Sequence, residues 1–74
     1  MSSDVDHPEH YTQGDVECIE AIDAAVADKP PQEAVYVASI LRYLWRYNRK
    51  QGATSLRKAR WYLDRLIATV EARQ

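Results

Sequence analysis

The chain has few of the residues that small domains use as covalent or metal staples. It contains one cysteine, two histidines, two glycines and no phenylalanine in 74 residues. A single cysteine excludes an internal disulfide, and one cysteine with two histidines is a poor set for structural zinc. Two glycines exclude the phosphate-cradling loops of P-loop and dinucleotide-binding proteins. Because a domain this short buries a marginal core, we expect it to form a homo-oligomer, with no resident metal or cofactor.

Long hydrophobic runs are also missing. No apolar run approaches the ~20 residues of a membrane span, and no basic segment followed by an apolar stretch opens the sequence as a signal peptide would. Together with the lone cysteine, which is typical of a reducing compartment, these features predict a cytosolic protein that makes no membrane contact.

The charges are balanced in number and separated along the chain. The net charge is −1, which argues against the broad phosphate footprint of a nucleic-acid-binding protein. The sequence is mostly acidic before Glu33 and mostly basic after it. This separation favours a local anion site, or contacts between acidic and basic parts of different subunits.

Hydrophobic periodicity predicts an all-α domain over residues 15–74, preceded by an N-terminal arm over residues 1–14, with no strand. The first helix is expected from Val16 to about Ala27, with Asp15 as its N-cap. Cys18 lies on its apolar side and is expected to be a buried small residue. The two prolines that follow Lys29 end this helix.

Two longer helices are predicted after the prolines. The second runs from Gln32 or Glu33 to about Lys50, and the third runs from a cap at Thr54 or Ser55 to about Ala72. Gly52 suits a left-handed position between them. The short connection predicts an antiparallel hairpin, which we expect to pack through Leu44 and Leu63.

Basic and aromatic residues recur at helical spacing on both predicted helices. One face of the second helix carries Arg42, Arg46 and Arg49, and one face of the third carries Lys58, Trp61 and Arg65. If the two faces flank a groove, the cations could bind phosphate, and rings such as Tyr43 and Trp61 could stack a base. Alternatively, the cations form a solvated face and the rings belong to the core.

Two further clusters could carry chemistry. His7 and His10 lie in the arm and could bind metal or carry protons, or the arm could pack its rings on a helix. Glu17 and Glu20 form an i, i+3 carboxylate pair of the kind that holds magnesium in all-helical pyrophosphatases. The third helix offers only Asp64 as a complement, so a solvated acidic face is the alternative.

Four segments, which cover nearly the whole chain, resemble a family of small bacteriophage proteins known as SaV-like or nucleotide-kinase-like, a domain of unknown function. They are residues 6–14, 17–20, 42–50 and 56–67. The resemblance implies a phage protein of the host cytoplasm that binds a nucleotide or another phosphorylated small molecule. It also implies, if the protein is catalytic, a deoxynucleoside monophosphate kinase-like activity without a P-loop, which would use Mg²⁺.

The resemblance further implies which residues meet the ligand. The family's motif residues correspond here to His7, His10, Tyr11, Glu17, Arg42, Tyr43, Trp45, Arg46, Arg49, Lys58 and Trp61. Arg42, Arg46 and Lys58 would hold phosphate, Trp61 or Tyr43 would stack the base, and His10 would contact phosphate or carry a proton. Besides the kinase-like function, two others stay open. They are a non-catalytic oligomeric sponge for host nucleotide signals, and a protein–protein interaction module.

Overall fold

A computed structural model describes residues 12–13 and 16–74 of the chain. Two short strands, β1 (Thr12–Gln13) and β2 (Val16–Glu17), are followed by three helices, α1 (Cys18–Val26), α2 (Pro31–Arg46) and α3 (Gly52–Ala72). The prediction of an all-α fold with three helices is therefore confirmed. No helix within the described residues has the length and apolar character needed to cross a membrane. His7, His10 and Tyr11 lie outside the described residues.

The expectation that the chain has no strand is wrong for four residues. β1 and β2 pair antiparallel, with Thr12 opposite Glu17 and Gln13 opposite Val16. Two residues per strand are too few to produce the alternation of apolar and polar side chains by which strands are recognised in a sequence. The pairing uses the residues at which the first helix was expected to begin.

The first helix accordingly begins two residues later than its predicted start at Val16. Its N-cap is Glu17, not Asp15. The backbone N–H of Glu17 donates to Oε1 of Glu20 at 3.0 Å, so that a carboxylate near the start of the helix satisfies a backbone donor. Cys18 and Ile22 are the buried residues of α1, which confirms that Cys18 lies on the buried side.

The second helix ends four residues before the predicted Lys50. Pro30 is its N-cap and Pro31 its first residue, a position where the missing proline N–H removes no helical hydrogen bond. The helix ends at Arg46, and the backbone N–H groups of both Arg49 and Lys50 donate to the Arg46 carbonyl at 2.9 Å. Both donors therefore belong to the turn that closes α2.

The connection to α3 uses two consecutive residues with positive φ. Gln51 has φ 67° and Gly52 has φ 44°, so the left-handed conformation predicted for Gly52 extends to its neighbour. α3 begins at Gly52, ahead of the predicted caps at Thr54 or Ser55. The Ser55 side chain is 0% exposed, and its Oγ donates backwards to the Lys50 carbonyl at 2.9 Å, fixing the connection to the helix.

Helices α2 and α3 pack closely along their length. Glu33, near the start of α2, accepts from Arg73, just beyond the end of α3. Near the end of α2, Tyr43 lies within 5.7 Å of the Lys58 ammonium, close to the start of α3. The contacts thus progress in opposite directions along the two helices.

The contact between α2 and α3 does not run through Leu44 and Leu63. These side chains are 45% and 44% exposed, whereas Tyr43 stacks on Tyr62 one residue before each leucine. A step of one residue rotates the side chain by about 100° around a helix. That step therefore turns both leucines away from the contact.

Candidate functional site

Aromatic rings from α2 and α3 form a connected cluster centred on Tyr62. The ring of Tyr62 lies 6.0 Å from that of Tyr43, nearly parallel to it at 18°, and 6.4 Å from that of Tyr36. Trp61 meets Tyr62 edge to face at 5.0 Å and 89°. These are favourable separations for aromatic pairs, so the cluster links the two helices through ring contacts.

Cationic side chains lie against these rings. The Arg46 guanidinium is 4.9 Å from the centroid of the Tyr43 ring, and the Lys58 ammonium is 5.7 Å from it. The Arg65 guanidinium lies 5.6 Å from the Tyr36 centroid and 5.2 Å from the Trp61 centroid. All these distances are within the range of a cation–π contact. We call the surface formed by these cations and rings the basic–aromatic face: Tyr36, Tyr43, Arg46, Lys58, Trp61, Tyr62 and Arg65.

Arg65 is held in place through one of its donors. Its Nε donates to the hydroxyl of Tyr36 at 3.3 Å, and this contact holds the pKa of Tyr36 below its usual range. No hydrogen bond within residues 12–13 and 16–74 uses its two Nη atoms. Arg65 therefore presents the end of its guanidinium, the part that can bind a phosphate oxygen pair.

Two other cations predicted for the site, Lys58 and Arg42, are open to solvent and are not in ion pairs with described residues. Both are exposed, and neither they nor Arg65 take part in an ion pair within the described part of the chain. Trp61 is exposed as well, at 57%. Lys58 and Arg65 of the face thus carry charges that no described carboxylate pairs with, beside an indole ring open to solvent.

Arg42 and Arg46 lie beside the first turn of α1. Burial raises the pKa of the Cys18 thiol, and the positive charges of Arg42 and Arg46 partly oppose that rise. Cys18 is 2% exposed, so its thiol is a packed side chain and a poor nucleophile. Because Arg42 lies toward α1, it extends the positive charge of the basic–aromatic face in that direction.

The other residues predicted for the site lie in three different parts of the chain. Arg49 lies in the turn that follows α2, so the helical spacing that grouped it with Arg42 and Arg46 does not reach it. Trp45 is partly buried on α2. His7, His10 and Tyr11 fall in the part of the chain that the structure does not describe, and their role stays a prediction.

Two tyrosines of the face were not among the predicted ligand-binding residues. Tyr36 and Tyr62 supply half of the ring cluster, and Tyr36 also holds Arg65. The sequence does carry a signal for Tyr36, because it precedes Tyr43 by seven residues, which places both on one side of a helix.

The carboxylates of the described residues do not assemble a metal centre. No group of three or more His, Cys, Asp or Glu side chains that could hold an ion is found among residues 12–13 and 16–74. The Glu20 carboxylate accepts the backbone N–H of Glu17, so half of the predicted magnesium pair caps a helix. Here the acidic pair has a structural use.

One further open groove lies at the far end of the helix pair. It has a volume of about 500 Å³ and is lined in part by Glu33, Thr69 and Arg73. The Arg73 guanidinium donates to both oxygens of Glu33, at 2.6 and 3.3 Å, and Glu33 raises the pKa of Arg73. Since this arginine is already neutralised, the groove is a weaker place for an anion than the basic–aromatic face.

Comparison with known proteins places the chain in a family. The family of proteins of unknown function DUF3310 matches residues 5–64 of the 74-residue chain. No curated protein and no solved structure matches the chain. The predicted resemblance to a domain of unknown function is confirmed at that level, and its phage and nucleotide-kinase-like parts stay predictions.

Proposed function

The chain belongs to the DUF3310 family, and we propose that it binds a nucleotide, or another phosphorylated small molecule, on the basic–aromatic face. One observation carries the proposal. Cations and aromatic rings alternate across a single face, with Arg46 and Lys58 against Tyr43 and with Arg65 against Tyr36 and Trp61. The cations can bind the phosphate groups of a nucleotide, and the rings can stack its base.

The phosphate part of the proposal is supported by electrostatics. Arg46 and Lys58 approach the same ring, so their charges lie within about 11 Å of each other. A phosphate placed between them would be attracted by both the exposed Lys58 ammonium and the Arg46 guanidinium. The exposed Nη atoms of Arg65 would add a bidentate contact.

The base part of the proposal is supported by the exposure of Trp61. Its ring meets that of Tyr62 edge to face and carries the Arg65 guanidinium at 5.2 Å. It is still 57% exposed, so part of its surface is open to a base. Stacking of a base on an aromatic side chain contributes ~1–3 kcal/mol. Tyr43 lies nearly parallel to Tyr62 and against two cations, which suits it to the boundary between base and phosphate.

The proposal includes the wider setting that the sequence predicts. The protein would act in the host cytoplasm during phage infection, as a homo-oligomer of antiparallel α2–α3 hairpins. The small number of buried apolar residues supports the oligomer: within the described part of the chain they are Cys18, Ile22 and Ala59. Nine large apolar side chains there are exposed instead, an excess over the core that favours association.

Titration calorimetry tests the binding proposal. Deoxynucleoside monophosphates, nucleoside triphosphates, cyclic nucleotides and inorganic phosphate are titrated into the wild-type chain. We expect at least one nucleotide to bind, and to bind more tightly than phosphate because stacking adds to the ionic contacts. Absence of binding by every nucleotide at millimolar concentration would refute the proposal.

Matched variants locate the site on the face. Lys58→Ala removes an exposed charge from it, and the expected loss of affinity is about tenfold, or ~1.4 kcal/mol. Arg60→Ala removes the same charge from α3, but residue 60 is rotated by about 160° from residue 58 around the helix. Equal losses in the two variants would mean that only net charge matters, which contradicts a built site.

Catalysis is the further part of the proposal that separates the kinase-like function from a sponge. Phosphoryl transfer requires two aligned phosphates and neutralisation of charge, and the basic–aromatic face supplies cations for the second requirement. Incubation with ATP, Mg²⁺ and each deoxynucleoside monophosphate gives the answer. Formation of a diphosphate supports the kinase-like function, and nucleotide binding without turnover supports the sponge.

A protein–protein interaction module is the second candidate function. It is favoured by the exposed apolar side chains of α2 and α3, such as Leu44, Leu63 and Ile67. In that case the substitution of Lys58 would change assembly and leave nucleotide titrations flat.

A further inference from the structure

The helix pair has a second face, which lies opposite the basic–aromatic face and is apolar. Leu44 of α2 and Leu63 of α3 each follow the stacked pair Tyr43–Tyr62 by one residue, so both turn to this side. Leu56 and Ile67 share the side with Leu63, at helical separations of seven and four residues. The four side chains are between 39% and 46% exposed. We call them the apolar face: Leu44, Leu56, Leu63 and Ile67.

We infer that the apolar face binds the apolar face of a second copy of this chain, to form a two-fold symmetric dimer of helix pairs. This inference deepens the homo-oligomer part of the proposed function by naming the surface, and it is independent of the ligand. The juxtaposition that carries it is four half-exposed large aliphatic side chains on one side of two closely packed helices.

The size of the face fits a stable dimer. α3 has 21 residues and is therefore about 31 Å long at 1.5 Å per residue. Two helices packed side by side are about 18–20 Å across, so one side of the pair has a footprint on the order of 600 Å². Two such faces would bury on the order of 1,200 Å² in total, which reaches the lower bound of stable protein interfaces.

The sequence of α3 suits pairing with its own copy in the antiparallel sense. Leu56 and Val70 lie seven residues before and after Leu63, so a two-fold axis at Leu63 sets each of them opposite the other. Arg57 lies six residues before Leu63 and Glu71 lies eight residues after it, both on the same flank of the stripe. The axis would therefore bring an arginine of one copy close to a glutamate of the other at both ends, as a closed two-fold interface requires.

Sedimentation equilibrium of the full chain, from micromolar to millimolar concentration, tests this inference. We expect wild-type protein to reach twice the monomer mass of 8.5 kDa or a higher even multiple. Leu63→Lys and Leu44→Lys each place a charge in the interface and are expected to raise the dissociation constant by about a hundredfold or more. Both side chains are already half exposed, so circular dichroism should show unchanged helix content.

Val35→Lys is the matched control, because Val35 is 60% exposed and lies nine residues before Leu44, on the opposite side of α2. It should associate like wild type. A wild-type chain that stays monomeric overturns the inference, and so does association that both leucine variants leave unchanged. Monomeric protein that floats with phosphatidylcholine vesicles would assign the face to lipid instead. A wild-type chain that binds nucleotide but stays monomeric overturns this inference alone, and a chain that self-associates through the apolar face but binds no nucleotide overturns only the binding part of the proposed function.

Discussion

The buried hydroxyl of Ser55 stabilises the connection between α2 and α3 through one hydrogen bond. Ser55→Ala removes the bond from Oγ to the Lys50 carbonyl, which is 2.9 Å long, and leaves the packing of Cβ unchanged. Lys50 is exposed, so water can replace the lost donor in part, and the cost falls within the usual ~0.5–1.5 kcal/mol of one hydrogen bond. We expect about 1 kcal/mol, which lowers the Tm of a domain of this size by about 4–8 °C.

Thermal unfolding followed by circular dichroism measures the effect, with Thr54→Ala as the control. Thr54 is exposed, and its substitution should stay within about 0.5 kcal/mol of wild type. All samples are compared at one protein concentration, because self-association shifts Tm by mass action. A drop in Tm for Thr54→Ala with no change for Ser55→Ala would contradict a stabilising role of the Ser55 hydroxyl, because it would identify Thr54 as the N-cap of the third helix.

Three further predictions concern stability. In Gly52→Ala the new Cβ meets no atom within 4 Å, but alanine is forced to φ 44°. Chemical denaturation should therefore show that the free energy of unfolding falls by about 1 kcal/mol. An unchanged midpoint would contradict the left-handed connection. Arg73→Met leaves the carboxylate of Glu33, whose side chain is 6% exposed, without its ion pair. It should lower Tm more than Lys29→Met, which breaks the exposed pair with Asp28, and equal effects would show that burial of Glu33 is unimportant. The pKa of the Cys18 thiol is raised above its ordinary value of 9.0 in the folded chain, so the unfolded chain loses this proton first as the pH rises. The free energy of unfolding should therefore fall as the pH rises past 9.0. This fall should be shallower in Cys18→Ala, and identical pH profiles for the two proteins would contradict a buried thiol.

The positions of the helices follow from local signals in the sequence. Apolar spacing and the prolines at 30 and 31 predict where α1 ends and α2 begins, because proline acts on the backbone of its own neighbours. The ends that were predicted wrongly are those decided by contacts. Glu20 moves the start of α1 by accepting the Glu17 N–H, and the turn after Arg46 shortens α2.

The contact between α2 and α3 was mispredicted because large apolar residues were expected to form it. α3 carries two stripes, and its buried residues, Ser55 and Ala59, are small. Small side chains allow the helix axes to approach closely, and Tyr62 then reaches its partners on α2. The stripe of leucines is left for another surface, which periodicity alone cannot distinguish from the core of the chain.

The candidate site was predictable where it depends only on the spacing of residues along one helix. The spacing of Lys58, Trp61 and Arg65 places them on one side of α3 whatever its partner is, and the structure brings all three to the basic–aromatic face. The roles of Tyr36 and Tyr62 depend on which side of α2 meets α3, and that orientation is a property of the packed helix pair.

Binding of a nucleotide on the face that exposes Trp61 can be observed directly at the indole N–H. The two tryptophans, Trp45 and Trp61, give two indole N–H signals in an NMR spectrum of ¹⁵N-labelled protein, and Trp61→Phe assigns them. During titration with the nucleotide that binds most tightly, the account predicts that the Trp61 signal shifts with saturation while that of Trp45 changes much less. Saturable binding that leaves the Trp61 signal in place would contradict the account.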